Sequence, residues 1–85
     1  MPDDPDYTID ATETSLDLFE TLVESPDPMG VTALADSLGV SKSVVHNHLS
    51  TLRARNYVSK HGAKYAPSLC TLYPGAKTLQ GLPVY

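Results

Sequence analysis

Two segments with a helical pattern are separated by only three residues, Gly39-Val40-Ser41, and this spacing constrains the fold more than any other feature of the sequence. Glycine readily takes the left-handed conformation that ends a helix, and serine is a preferred cap for the start of the next one. So short a connection packs the two helices against each other. The sequence therefore predicts a helix-turn-helix unit, with a short helix capped by Thr32 and a longer one over 41–55.

Apolar residues recur at helical spacing in both of these segments and in an earlier one, 12–25, which predicts a first helix capped by Thr12 or Thr14. The sets expected to face the core are Leu16, Phe19, Leu22 and Val23 in the first helix, Leu34, Ala35 and Leu38 in the second, and Val45, Leu49 and Leu52 in the third. His48 shares the inward side of the third helix, so we expect it to be half-buried.

A β-hairpin is predicted after the third helix. Asn56 suits a left-handed helix end, and the segments 57–59 and 64–66 flank a turn at 60–63 in which His61 and Gly62 supply turn residues. Three helices followed by a hairpin form a winged helix-turn-helix. The expected fold class is therefore mainly α with a small β-hairpin, over residues 12–68.

The two ends of the chain flank this single domain. The chain has 85 residues, which suits one compact unit. Residues 1–11 contain two prolines and four aspartates, and they predict a flexible acidic arm. Residues 69–85 are expected to be a tail or linker remnant, because Pro74 with Gly75, and Pro83, interrupt any long element.

Charge is distributed very unevenly along the chain. All ten acidic residues lie within 1–36, whereas all six lysines and arginines lie within 37–85, so the net charge of −4 conceals an acidic half and a basic half. This asymmetry favours one face suited to a polyanion. The plain alternative is an acidic solubilising face beside an ordinary basic one.

The third helix and the hairpin supply the candidate residues for binding double-stranded DNA. In a helix-turn-helix the second helix lies in the major groove, and a wing can lie on the backbone or in the minor groove. The candidates in helix 41–55 and wing 57–66 are Ser41, Lys42, Ser43, His46, Asn47, Arg53, Arg55, Lys60, His61 and Lys64. The asparagine amide can bond adenine, the two arginines suit the backbone, and the lysines suit phosphates. The alternatives are that Ser41 only caps its helix and that the lysines only aid solubility.

Other classes of function have little support in the sequence. No arrangement of serine, histidine and aspartate and no glycine-rich loop indicates an enzyme, and His46 and His48 point to different sides of a helix. The single cysteine, Cys70, excludes an intrachain disulfide and suits a packing role. We expect no metal, no cofactor, no membrane association and a cytoplasmic location.

The stretch from Ser15 to Leu72 resembles the N-terminal domain of IclR-family transcription regulators (isocitrate-lyase-regulator type), particularly archaeal members. The segments LDLFETLVES and VTALADSLGVSKSVVHNHLSTLRARNYVSKHGAKYAPSL carry the resemblance. It implies a winged helix-turn-helix that binds operator DNA as a homodimer and regulates transcription. By position, Lys42, Ser43 and Val44 match the family's helix start, and His46 matches a common histidine.

The sequence departs from the family at three points. Asn47 stands where many members have arginine, and Asn56 replaces the usual glycine. The family continues into a linker helix and a ligand-binding domain, whereas Pro74-Gly75 is expected to break that helix and the sequence ends at Tyr85. The chain is either a fragment or shortened relative, or a stand-alone regulator, so no small-molecule effector site is expected in it. The alternative function is a protein-interaction module that kept the fold and lost its affinity for DNA.

Overall fold

The computed structural model describes residues 8–69 and 72–81, and within them four helices accompany a three-stranded sheet. The elements in chain order are α1 (Asp10–Glu24), β1 (Met29–Gly30), α2 (Val31–Leu38), α3 (Lys42–Ala54), β2 (Val58–His61), β3 (Lys64–Pro67) and α4 (Leu72–Gln80). The predicted fold class is confirmed. Most of the predicted arm, residues 1–7, and the tail residues Cys70, Leu82, Pro83 and Val84 lie outside the described residues.

The first helix differs from its prediction in both its start and its buried face. It begins at Asp10 after Ile9, and no side chain caps it, so neither Thr12 nor Thr14 is the cap. Leu18 and Leu22 are both buried, although only Leu22 was predicted to be. Leu16 and Val23, which were also predicted to face the core, are 54% and 55% exposed. Two apolar stripes run along α1, and helical spacing alone does not decide which one meets α2, α3 and the sheet.

The helix-turn-helix unit itself follows the prediction closely. Gly39 ends α2 in the left-handed conformation at φ 69°, and the Oγ of Ser41 accepts a hydrogen bond of 3.2 Å from the backbone N–H of Val44. At the other end of α3, Asn56 is left-handed at φ 67°. The predicted cap Thr32 is wrong, because α2 starts at Val31 with Gly30 in the cap position.

One hydrophobic core joins the three predicted helices to the sheet. Its buried members are Leu18, Leu22, Leu34, Ala35, Val45, Leu49, Val58 and Tyr65. Leu38 and Leu52 pack against this cluster at partial burial, and His48 is half-buried as expected. Burial of these side chains is the main term that stabilises a domain of this size.

The sheet has the strand order β1-β3-β2 and is antiparallel throughout. The predicted hairpin is present, with longer strands and a turn at Gly62 and Ala63, so that Lys60 and His61 belong to β2. Gly62 is left-handed at φ 66°, as a tight hairpin turn requires. Strand β1 was not predicted, because two residues carry no alternating pattern.

The predicted interruption at Pro74 is also wrong, because α4 continues through it. Pro74 is the third residue of α4, and the N–H groups of a first helical turn have no intrahelical partner, so proline is tolerated there. The described side chains from 75 to 81 are all exposed. No helix within 8–69 and 72–81 combines the length and apolar character that crossing a membrane would require.

Candidate nucleic-acid interface

The N-terminal half of α3 presents a short, polar surface to solvent. Lys42, Ser43, His46 and Asn47 are all exposed there, because Val45 and Leu49 turn the opposite side of the helix into the core. The Ser41 cap fixes where the helix begins and so which of these side chains lie at its end. A helix end with free N–H groups and a lysine favours an anion.

Beside this surface lies an open cleft of about 570 Å³ to which three elements contribute. The first turn of α2 forms one wall, His46 of α3 a second, and Lys60 and Lys64 of the hairpin a third. Tyr65 lies in it as a buried member of the core. None of the residues that line the cleft is acidic, and the fold brings His46 of α3 beside the two lysines of the hairpin.

The side chain of Lys60 is held over an aromatic ring. Its Nζ lies 5.8 Å from the centroid of Tyr65, within the range of a cation–π contact. The register of the hairpin explains this position, since Lys60 is directly opposite Tyr65 in the β2–β3 pair. The ammonium group therefore stays at the cleft although the lysine itself is exposed.

Strand β1 is what brings α2 to the hairpin. Gly30 pairs with Lys64 and Met29 with Tyr65, and α2 begins at the next residue. A glycine in the cap position has no side chain to bond the first-turn N–H groups, which are left for another acceptor. This wall of the cleft was not predicted from the sequence, because no local signal marks so short a strand.

The remaining candidates are exposed but lie apart from the cleft lining. His61 shares a hydrogen bond of 2.9 Å between its Nε2 and the Oγ of Ser59, and Arg53 lies in the last turn of α3. Arg55 lines a different hollow, of about 380 Å³, between α1 and the end of α3. Thus His46, Lys60 and Lys64 are brought together, and Arg55 is not among them.

The second histidine of α3 has a structural partner. The Nδ1 of His48 and the Oγ of Ser15 share a hydrogen bond of 2.5 Å that ties α3 to α1. This contact accounts for its half-buried position. Among the described residues, no group of three or more histidine, cysteine, aspartate or glutamate side chains is placed to hold a metal ion.

Comparisons with known proteins give a family model that matches the chain and solved structures that share its fold. The family model described as the IclR helix-turn-helix domain matches residues 11–62. Among solved structures, an IclR transcriptional regulator from Alicyclobacillus acidocaldarius has a TM-score of 0.78 at 21% identity, over 85% of this chain and 30% of that one. The repressor BlcR of Agrobacterium tumefaciens has a TM-score of 0.80 at 17% identity, over 89% of this chain and 31% of that one.

A third structure, HmgR of Pseudomonas aeruginosa, has a TM-score of 0.73 at 22% identity, over 88% of this chain and 32% of that one. No curated protein matches the sequence. The chain therefore spans about a third of the length of the solved proteins whose fold it shares. At these identities the structural likeness shows the fold, and the family assignment depends on the match over 11–62.

Proposed function

Since the chain belongs to the IclR helix-turn-helix domain family, we propose that it binds double-stranded DNA and regulates transcription. The observation that carries the proposal is the cleft in which His46, Lys60 and Lys64 converge beside the exposed polar face of α3. Affinity for DNA comes largely from the electrostatic contacts of lysine and arginine side chains with phosphates. The lysines of the cleft would supply this phosphate-binding contribution to affinity. The adjacent helix α3 would enter the major groove and contact base edges.

In the proposed complex, the N-terminal half of α3 lies in the major groove. Ser43, His46 and Asn47 face the base edges, and their short or planar side chains let the helix approach closely. Asn47 can pair with N6 and N7 of an adenine. Ser41 and Lys42 at the helix start meet a phosphate, where the helix dipole adds to the attraction.

The wing contacts the backbone or the adjacent minor groove. Lys60 and Lys64 meet phosphates from the cleft side, and His61 does so from the hairpin tip. Arg53 and Arg55 are proposed as further backbone contacts at the other end of α3. The position of Arg55 in the hollow beside α1 supports it less than the cleft supports the two lysines.

The acidic residues are compatible with this orientation. Helix α1 carries five carboxylates in 15 residues, and none of them lines the cleft. Such a separation of charge steers the molecule so that its cationic side meets the polyanion. The overall charge of −4 therefore does not count against DNA binding.

We also propose that the chain acts as a homodimer in the cytoplasm. One winged helix-turn-helix contacts too few base pairs to specify a single site in a genome. Operators with two-fold sequence symmetry are bound by dimers with two-fold rotational symmetry. A transcription regulator acts in the compartment that holds the DNA, which in a prokaryotic cell is the cytoplasm.

Binding to a pool of duplexes with a randomised central segment tests the proposal. We expect the chain to retain DNA at low salt and to enrich one sequence over successive rounds. Replacing Lys42→Ala together with Arg53→Ala should weaken binding at least about tenfold, since each phosphate contact changes the salt dependence by almost one unit. The matched control is Lys77→Ala on α4, which should bind normally.

Two results would refute the proposal. One is a folded chain that binds no duplex even at low salt, which would favour the protein-interaction alternative. The other is a double variant that binds as well as the original chain, which would show that α3 is not the interface.

A further inference from the structure

The ring of Tyr65 forms a fixed part of the cleft wall, next to one of its two lysines. Tyr65 lies in β3, the middle strand of the sheet, where it pairs with Met29 on one side and with Lys60 on the other. Its side chain is 5% exposed as a member of the core, and it also lines the cleft. A closely packed side chain has little freedom to change rotamer, so the ring stays where it is.

The pleat of the hairpin directs Lys60 toward this ring. Residues directly opposite each other in an antiparallel pair lie on the same face of the sheet, and residues two apart in one strand do so too. Val58, Lys60 and Tyr65 therefore share one face, and it is the face that packs on the helices, because Val58 is buried in the core. Lys60 thus begins on the inner side of the wing.

Electrostatic attraction then holds the end of this lysine in the cleft. The Nζ of Lys60 lies 5.8 Å from the ring centroid of Tyr65, and the face of an aromatic ring attracts an ammonium group. The cleft lining contains no carboxylate that could hold the ammonium instead, and it contains a second cation, Lys64, which repels it. The ring is therefore the attractive group that the cleft lining offers to Lys60.

The second lysine of the cleft lacks this support. Lys64 lines the same cleft, but it precedes Tyr65 in β3, and successive residues of a strand point to opposite faces. Within residues 8–69 and 72–81, the ring contact of Tyr65 is with Lys60 and not with Lys64. Two lysines that could meet the same polyanion thus differ in whether their ammonium group is held in advance.

We propose that Tyr65 is a positioning residue for DNA binding, whose ring holds the ammonium of Lys60 ready for a phosphate. This inference rests on the proposed function. An ammonium group has three N–H donors, and the ring covers one side of it, so donors remain for a phosphate oxygen. Ordering a long side chain at an interface lowers affinity by about three- to tenfold, and a lysine that is already ordered avoids most of this loss.

Proton NMR of the original chain without DNA tests the contact. Protons above the face of an aromatic ring are shielded, so the ε-methylene protons of Lys60 should resonate upfield of those of Lys64. This measurement requires no substitution in the core and so does not depend on whether a variant folds. Equal chemical shifts for the two lysines would overturn the proposal.

A double-mutant cycle on DNA affinity tests the consequence of the contact. Lys60→Gln is measured in the original chain and in Tyr65→Leu, which keeps an apolar side chain in the core, once circular dichroism shows that the variants are folded. The loss of affinity caused by Lys60→Gln should be at least about threefold smaller in the Tyr65→Leu chain, because the lysine is no longer held in place there. Equal losses in the two chains would overturn the proposal.

The matched control is the other lysine of the cleft. Lys64→Gln should lower the affinity equally in the original chain and in Tyr65→Leu, since Lys64 has no contact with the ring. A displaced hairpin would reduce the effect of both lysines alike. Equal coupling of Tyr65 to Lys60 and to Lys64 would therefore show a structural role and refute the positioning role.

A conservative variant separates the ring of Tyr65 from its hydroxyl group. Tyr65→Phe keeps the aromatic face, so it should bind DNA like the original chain and should preserve both the upfield shift of Lys60 and the full effect of Lys60→Gln. If Tyr65→Phe behaves like Tyr65→Leu, the hydroxyl group and not the ring is responsible, and the proposal is wrong.

The same titrations distinguish this inference from the proposed function. An original chain that binds duplex DNA without coupling between Tyr65 and Lys60 would refute the positioning role and leave DNA binding intact. A folded chain that shows the upfield shift of Lys60 but binds no duplex would refute the proposed function, and the role of Tyr65 in DNA binding with it.

Discussion

The cleft and the exposed apolar stripe of α1, formed by Leu16 and Val23, lie on different parts of one small domain and differ in nearly every surface property. The cleft gathers His46, Lys60 and Lys64 from separate elements and is lined by no acidic residue. The exposed stripe is a line of apolar side chains on a helix that also carries five carboxylates. One surface carries cationic side chains, and the other carries apolar ones.

This contrast shows why totals mislead in a chain of this size. A net charge of −4 describes neither surface, since five of the ten acids lie on α1 and five of the six lysines and arginines lie within 42–64, from α3 to the hairpin. Likewise, a count of apolar residues does not distinguish those in the core from those on the exposed stripe of α1. What each surface can bind depends on which side chains the fold places together.

The largest expected effect comes from the division of α1 into a buried and an exposed stripe. Leu18→Ala should lower the free energy of unfolding by about 2–5 kcal/mol, because a fully buried leucine leaves a cavity. Leu16→Ala should change it by about 0.5 kcal/mol or less in dilute solution, where the side chain is half exposed. Urea unfolding followed by circular dichroism compares the two. Equal losses would contradict the division of α1 into a buried and an exposed stripe.

The next effect tests the cleft as a phosphate-binding surface. Lys60→Gln with Lys64→Gln should lower DNA affinity on the order of 50-fold at 0.1 M salt and reduce the slope of log K against log salt by about 1.8. The loss should be alike for all sequences, since phosphates carry no sequence information. Titrations at several salt concentrations measure both quantities, with Lys77→Gln as the control. An unchanged slope would show that neither lysine meets a phosphate.

A smaller and more selective effect is expected at the exposed face of α3. Asn47→Ala should cost about 1–3 kcal/mol of discrimination at one A·T pair of the selected site and little on unrelated DNA. Competition between the selected duplex and single-base variants reveals the position concerned. Gln80→Ala, which removes an exposed amide on α4, is the control. A uniform loss across all duplexes would indicate a backbone contact instead.

The smallest effect concerns the residue that starts α3. Ser41→Ala removes the acceptor for the Val44 N–H and should lower the free energy of unfolding by about 1 kcal/mol. Ser43→Ala, on the exposed face of the same turn, serves as the control for stability and should have a much smaller effect. Thermal unfolding in the absence of DNA measures both. If the two variants are equally stable, the hydrogen bond from Val44 contributes little to the position of the helix start.

Much of the fold could be predicted because its signals are local. Gly39 and Asn56 adopt the left-handed conformation predicted for them, Gly62 lies in the predicted hairpin turn, and Ser41 is the cap. Backbone conformation at a turn and capping at a helix end depend on a few neighbouring residues, which the sequence shows directly. The exposure of the ten candidate residues also follows from the pattern, although their contacts with DNA remain predictions.

The errors lie where distant parts of the chain decide the outcome. Strand β1 exists because Met29 and Gly30 pair with Tyr65 and Lys64, more than thirty residues away, and nothing local indicates it. The same pairing starts α2 at Val31 rather than after Thr32. Helix α4 tolerates Pro74 because the proline lies in the first turn of the helix. That position could be recognised only once the start of α4 at Leu72 was known.

By itself, then, the sequence determined the helix-turn-helix with its hairpin and the separation of acidic from basic residues along the chain. Only the tertiary structure decided that Leu18 and Leu22 face the core while Leu16 and Val23 do not, and that His46 meets Lys60 and Lys64 in one cleft. The physical reason is that caps and turns are set by neighbouring residues. The choice between two equally periodic stripes, and the meeting of separate elements, depends on what packs against them.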